Sequence, residues 1–243
     1  MVTEKEKIEV KSEDYWTWYD RAQQLEKEGY YEDAIIAYDK ALSIRPEDYW
    51  SWYNRGCIAL EDLDNFPLAI ESFNRALEIR PDDYWIWFRK GETLRHLQHY
   101  PEAISCYNHA LDIRPDDYWS WCRRGDALRH SGQLENALRS YDRALEIDSK
   151  SFWVWYKRAD ILRYLGDYSE AIHSYRQAIA INAVDDYAWY NLACCASLIG
   201  DADLAISHLK QALYLSPINW QLASTDPDFN PIRDHVRFQA LWH

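Results

Sequence analysis

The sequence predicts an all-α array of antiparallel helix pairs, and three observations predict it. Asp48-Tyr49-Trp50-Ser51-Trp52 recurs as Asp14-Tyr15-Trp16-Thr17-Trp18, Asp83-Tyr84-Trp85-Ile86-Trp87 and Asp117-Tyr118-Trp119-Ser120-Trp121. It returns altered as Ser151-Phe152-Trp153-Val154-Trp155 and Asp185-Asp186-Tyr187-Ala188-Trp189, so the starts are separated by 34, 35, 34, 34 and 34 residues. Self-similarity at such a period marks a stack of supersecondary units. Within each period, apolar residues recur three and four apart, the spacing of a helix face. Proline or glycine stands between the periodic stretches, where helices stop.

Residues 1–13 alternate Glu and Lys with little apolar content and are expected to form a frayed tail or a short helical extension. Six repeats follow, at 14–47, 48–82, 83–116, 117–150, 151–184 and 185–218. In the second, helix A is expected from about Tyr49 to Asp62, with Trp52, Gly56 and Ala59 as one stripe. Helix B is expected from about Pro67 to Ile79, with Ala69, Ile70, Phe73, Ala76 and Leu77 as its stripe. Pro81 ends it and Asp83 N-caps the next helix A. Pro67 and Pro101 fit a first helical turn, where no amide is lost. Gly29, Gly132, Gly166 and Gly200 mark the turn between the paired helices. The second repeat lacks this glycine and has one extra residue near Leu63-Asp64-Asn65, which predicts a distorted turn. In 219–243, a seventh helix A begins at Trp220, Asp226-Pro227-Asp228-Phe229 signals a turn, and Pro231–Trp242 reads as a short amphipathic helix capping the last apolar face.

These residues resemble the tetratricopeptide repeat. Trp52…Gly56…Ala69-x-x-x-Phe73…Ala76…Pro81 follows its pattern, as does Trp87…Gly91…Ala103-x-x-x-Tyr107…Ala110…Pro115. The resemblance covers 14–218 and implies a right-handed superhelical solenoid. The 219–243 segment resembles the ends of bacterial members. Two departures stand out. The leucine usual three after the Trp is Arg21, Arg55, Lys90, Arg124 and Arg158, returning only as Leu192; the closing proline is Ser149 and Ala183 in the fourth and fifth repeats. Long cationic stems cover apolar surface, so the fold tolerates the first.

Composition narrows the function. Lys and Arg number 27 against 40 Asp and Glu, a net charge of −13, which repels phosphate backbones at long range. The five cysteines have no framework spacing and suit free thiols in a reducing compartment. No apolar run reaches membrane-helix length and the first ten residues are charged, so a cytoplasmic protein is expected. No phosphate loop, metal spacing or nucleophile–base motif appears, so neither catalysis, a cofactor nor a metal is expected.

Two aromatics two residues apart on a helix point about 200° apart. Trp52 and its equivalents serve the pair's own core. Trp16, Trp50, Trp85, Trp119 and Trp153, closed by Tyr187, lie on a second stripe, either packing between neighbouring repeats or forming an open ladder. In the second repeat the stripe reads Trp50, Tyr53, Cys57, Leu60; in the third, Trp85, Phe88, Glu92, Arg95. In the fourth it reads Trp119, Cys122, Asp126, Arg129; in the fifth, Trp153, Tyr156, Asp160, Arg163. The resemblance implies that this stripe lines a concave groove for partner segments. Glu92/Arg95, Asp126/Arg129 and Asp160/Arg163 are expected to pair at i, i+3, either as internal salt bridges or as readers of a partner. Cys122, between the positions of Phe88 and Tyr156, is expected to leave a notch, filled either by a partner side chain or by a neighbouring Trp.

The leading reading is a non-catalytic scaffold or adaptor binding a protein or peptide segment through Trp50, Tyr53, Trp85, Phe88, Arg95, Trp119, Cys122, Arg129, Trp153, Tyr156 and Arg163. The Lys/Asn clamp with which some family members hold chaperone tails is not matched, which leaves an assembly-factor or co-chaperone role of another kind as an alternative. Single-stranded nucleic acid stacked on the aromatics is the different-class alternative, disfavoured by the charge. A monomer is expected, with end-to-end self-association resisted by the cap.

Overall fold

The computed structural model describes residues 14–242, so the expected N-terminal tail lies outside the described residues. The chain forms two compact units, the first ending at Pro115 and the second beginning at Asp116. The first contains α1 (Tyr15–Glu28), α2 (Tyr31–Ile44), α3 (Tyr49–Glu61), α4 (Phe66–Ile79), α5 (Tyr84–His96) and α6 (Tyr100–Ile113). The second contains α7 (Tyr118–His130), α8 (Leu134–Ile147), α9 (Phe152–Tyr164), α10 (Tyr168–Ile181), α11 (Asp186–Leu198) and α12 (Ala202–Leu215). It closes with α13 (Asn219–Thr225), a 3-10 turn (Pro227–Ile232) and α14 (Val236–Gln239). No strand occurs among the described residues. Each odd-numbered helix up to α11 is a helix A packed on the helix B that follows it.

Small residues let the paired helices approach closely. Ala34, Ala69, Ala103, Ala137, Ala171 and Ala205 are fully buried, as are the helix-B rings Tyr38, Phe73, Tyr107, Tyr141 and Tyr175. A Cβ placed on Gly56 would lie 2.6 Å from the Phe73 ring, and one on Gly125 would lie 2.6 Å from Tyr141. The glycine four after the core Trp is thus the socket for the helix-B ring.

Helix starts follow the aspartates. Asp14, Asp48, Asp117 and Asp185 each accept the backbone N–H three residues on, and Asp83 accepts those of Trp85 and Ile86. Ser151 makes no such cap; its hydroxyl instead accepts the Tyr118 O–H at 2.7 Å. Tyr49 likewise donates to Asp83 at 2.9 Å. The tyrosine one residue into a helix A therefore reaches the cap of the next repeat.

The turns between paired helices need one left-handed residue, and Gly29, Gly132, Gly166 and Gly200 supply it at φ of 81, 79, 83 and 83°. In the second repeat Asp64 takes φ 49°, within the longer connection 62–65. The third repeat departs as well, although its sequence has no insertion: Gln98 takes φ 61°. The C-terminus also differs from expectation. Pro231 belongs to the 3-10 turn, and the only α-helical part of Pro231–Trp242 is Val236–Gln239. Ile232 and Phe238 are buried while Val236 is exposed.

A side chain in the left-handed region costs roughly 1–2 kcal/mol, and glycine repays part of that through a more flexible unfolded chain. Gln98→Gly should accordingly raise unfolding stability by about 1 kcal/mol in a urea titration, whereas Gly132→Ala should lower it by a similar amount.

Candidate peptide-binding face

The second stripe of each helix A separates buried from open aromatics. Tyr15, Tyr49, Tyr84 and Phe152 are buried, whereas Trp50, Trp85, Trp119 and Trp153, one residue further on, are 51, 48, 58 and 65% exposed. Each exposed Trp stands edge-to-face against its neighbour, with centroids 4.9 to 5.2 Å apart. The two alternatives for this stripe are thus shared between adjacent residues: Tyr or Phe packs, and Trp stays open. Tyr53, Phe88 and Tyr156 are half-buried behind the tryptophans. Tyr53 and Tyr156 stack on or lean against the buried rings Tyr49 and Phe152.

Three arginines absent from the expected site cover the buried tyrosines of the first unit. Arg45, Arg80 and Arg114, at the ends of α2, α4 and α6, lie 4.3, 4.0 and 4.2 Å over the rings of Tyr15, Tyr49 and Tyr84. The signal was present in the sequence, since Arg precedes the closing proline in the first three repeats, where Asp148 and Asn182 stand later. Arg55, Arg124 and Arg158, besides covering apolar surface, donate to Ser72, Ser140 and Ser174 of the paired helix B.

The charged end of the stripe differs from its expected pairing. Glu92 and Arg95 do pair, through two contacts of 3.2 Å. Asp126 does not pair with Arg129: it takes Lys157 of α9 at 2.6 Å, Arg123 at 3.7 Å and the Tyr141 hydroxyl at 2.7 Å. Asp160 does not take Arg163; it accepts from Tyr175 at 2.5 Å, and Arg163 reaches Asp228 of the 3-10 turn at 2.5 Å. The reason is shared. A buried helix-B tyrosine needs an acceptor, and the carboxylate turns inward to meet it. Where no such acid exists, at Cys57, helix B carries Phe73 instead of tyrosine.

Cys122 forms no open notch. It is 7% exposed, and burial pushes its thiol up to about 11. The Trp and Arg ends are also separate places: Trp119 and Arg129 are ten residues apart on α7, a rise of about 15 Å. In the second unit the face therefore has Trp119 and Trp153 at one edge and Arg129 and Arg163 at the other. In the second unit, Arg129, Gly132, Leu134, Asp160, Ile161 and Tyr164 line a cavity of about 430 Å³ at the charged edge. Trp85, Phe88 and Arg95 belong to the first unit, as do Trp50 and Tyr53.

Equivalent acids have opposite electrostatics. Burial raises the Asp160 carboxyl, and Tyr175, Arg163 and Arg129 offset this only in part. Burial acts the same way on Asp126, but Lys157, Tyr141 and Arg123 outweigh it and hold the carboxyl below its usual value. Cys194, Asp226 and Asp228 also cluster, and hydrogen bonds and an ion pair account for both acids: Tyr190 donates to Asp226 at 2.7 Å and Arg163 to Asp228.

Models of the tetratricopeptide repeat match residues 16–48, 51–83, 82–150, 116–183 and 156–219. The chain belongs to the tetratricopeptide repeat family. Solved structures agree in fold. YrrB, described as a tetratricopeptide repeat protein with an unusual peptide-binding site, is 19% identical with TM-score 0.68, over 77% of this chain and 96% of its own. PilF of Pseudomonas aeruginosa is 18% identical with TM-score 0.65, over 87 and 97%. MamA of Desulfovibrio magneticus RS-1 is 18% identical with TM-score 0.65, over 71 and 97%. A search of curated proteins finds no match. Within this tetratricopeptide frame, the aromatic row is carried by the residue two before the family's core Trp. No helix among the described residues is long and apolar enough to cross a membrane.

The two acids make a paired test. Asp126→Asn should lower stability at neutral pH by roughly 1–3 kcal/mol, since Lys157 loses its charge partner. Because the folded state holds Asp126 low, its contribution is present above the ordinary carboxylate value and is lost as pH falls through the folded value. The gap to wild type should therefore narrow in acid. Asp160 is held high, so its ionisation weakens the fold as pH rises through its folded value. Asp160→Asn, which keeps an acceptor for Tyr175, should be neutral or stabilising at neutral pH. Urea titrations from acid to neutral pH check both signs.

Proposed function

We propose that this tetratricopeptide repeat protein is a non-catalytic scaffold that holds a segment of a partner protein against the helix-A face of its second unit. The observation that carries the reading is the exposure of Trp119 and Trp153 at equivalent positions of successive repeats. Tyr118 and Phe152 beside them turn toward the core side, so the tryptophans are spare rings on rigid helices. Exposed aromatic area of this kind marks interaction surfaces, and Trp, Tyr and Arg are their usual anchors. The solenoid family offers such faces to extended or helical segments. YrrB, similar in fold, is described as having a peptide-binding site.

The partner is a protein rather than nucleic acid. The net charge of −13 opposes a phosphate backbone, and Arg95 and Arg163 on the stripe are already held by Glu92 and Asp228. The Lys/Asn clamp for chaperone tails is not matched, so the specificity differs from that subset.

Peptides selected from a random displayed library on the wild-type protein test the reading. Trp119→Ala with Trp153→Ala should weaken them by at least about tenfold, as removal of interface anchors does, with an unchanged helical circular dichroism spectrum. Binders indifferent to both substitutions would place the site elsewhere.

A further inference from the structure

The protein carries its own example of a segment seated on a helix-A face. Residues 226–229 lie against α11 and reach α9: Asp226 accepts from Tyr190 of α11 at 2.7 Å, and Asp228 accepts from Arg163 of α9 at 2.5 Å. Phe229 is next, fully buried, edge-on to Tyr190 at 5.7 Å. The segment is not α-helical, and its backbone is held by Arg233 on the Asp226 carbonyl at 2.7 Å. A non-helical acidic stretch is thus accommodated in the last two repeats by an arginine at the end of one helix A.

Arg129 occupies the same position one repeat earlier, in the same unit. Its expected partner Asp126 is taken by Lys157 and Tyr141. Among the described residues no carboxylate lies in ion-pair range of Arg129. Its Nη2 meets the His130 ring at 3.1 Å, and its Nε is shielded from solvent without an acceptor. The adjoining cavity, about 430 Å³, has Leu134 and Ile161 as apolar lining and Tyr164, 81% exposed, at its rim.

We infer that Arg129 is the carboxylate-reading subsite of the proposed binding face, and that the partner segment presents a single Asp or Glu there followed by an apolar residue. The inference rests on the proposed function and gives its ligand a chemistry. The carboxylate is that of Asp228 moved back one repeat; the apolar residue meets Leu134, Ile161 and Tyr164 in the cavity. Shifting the whole 226–229 segment back one repeat fails on charge, because Asp160 stands where Cys194 faces Asp226. A second acid two residues before the first would meet Asp160, so that ligand position is neutral. The Asp160 carboxylate is turned to Tyr175 and attracts Arg129 without forming an ion pair with it, so a ligand carboxylate would be the closer partner of the guanidinium.

The random displayed peptide library tests this with four variants. Wild-type binders should be enriched in Asp or Glu with a neutral residue two before and an apolar residue after. Arg129→Gln should weaken them about tenfold, the size of a charge-assisted hydrogen bond, and Arg129→Lys should weaken them less. Arg75→Gln, which removes an exposed charge paired to Glu78, should change nothing. The helical circular dichroism spectrum of each variant should match wild type. Equal losses in Arg75→Gln and Arg129→Gln would mean unspecific charge attraction and overturn the subsite. Binders that lose affinity in the Trp119→Ala, Trp153→Ala protein but ignore Arg129→Gln would overturn the subsite and leave the docking face standing. A library yielding no binder sensitive to either would overturn both.

Discussion

The aspartate that opens five of the six helices A fixes the helix start, and between the second and third repeats it also fixes the joint. Asp83 accepts the N–H groups of Trp85 and Ile86 and the hydroxyl of Tyr49 from the preceding repeat. Two orphan donors of a helix end and one buried phenol are satisfied by one carboxylate. With Tyr49 committed to that joint, the next side chain on the helix, rotated by about 100°, cannot enter it. Trp50 is left beside it with half its surface open. The geometry of the cap thus places the tryptophan row, and the same relation recurs where Ser151 receives Tyr118. In the sixth repeat Asp186 replaces the tyrosine, and the chain beyond α12 packs differently, ending in the 3-10 turn and the short α14.

The charged edge obeys an equally local rule. A buried helix-B tyrosine requires an acceptor, and Glu92, Asp126 and Asp160 provide it to Tyr107, Tyr141 and Tyr175. The short Asp126 and Asp160 turn inward to their tyrosines and away from Arg129 and Arg163, whereas the longer Glu92 accepts from Tyr107 and still pairs with Arg95. Arg95 keeps its acid, Arg163 finds one in the C-terminal segment, and Arg129 has none in ion-pair range among the described residues. Three equivalent positions thereby acquire different availability to a ligand without any change of residue type.

Much of the fold was legible in the sequence because the repeat supplies the same evidence six times. The helix pairs, the aspartate caps and the glycine turns all obey local rules that act within a few residues. The exposure of the tryptophans was legible only as an alternative, since periodicity gives an angle and not the identity of what packs against it. The inward turn of Asp126 and Asp160 was hidden because it depends on a tyrosine 15 residues away. The seating of Asp228 on Arg163, 65 residues apart, has no periodic signature at all. Gln98 was hidden for the opposite reason: its turn has ordinary length, so only the missing glycine betrays the strain.

The central claim is that adjacent aromatics on one helix divide the work, the first holding the array and the second left for a partner. Parallel urea titrations of Phe152→Ala and Trp153→Ala measure that division directly. The account predicts a loss of roughly 3–5 kcal/mol for the buried Phe152 and less than about 1 kcal/mol for Trp153. Equal losses, or a larger one for Trp153, would contradict it and make the tryptophan row part of the core.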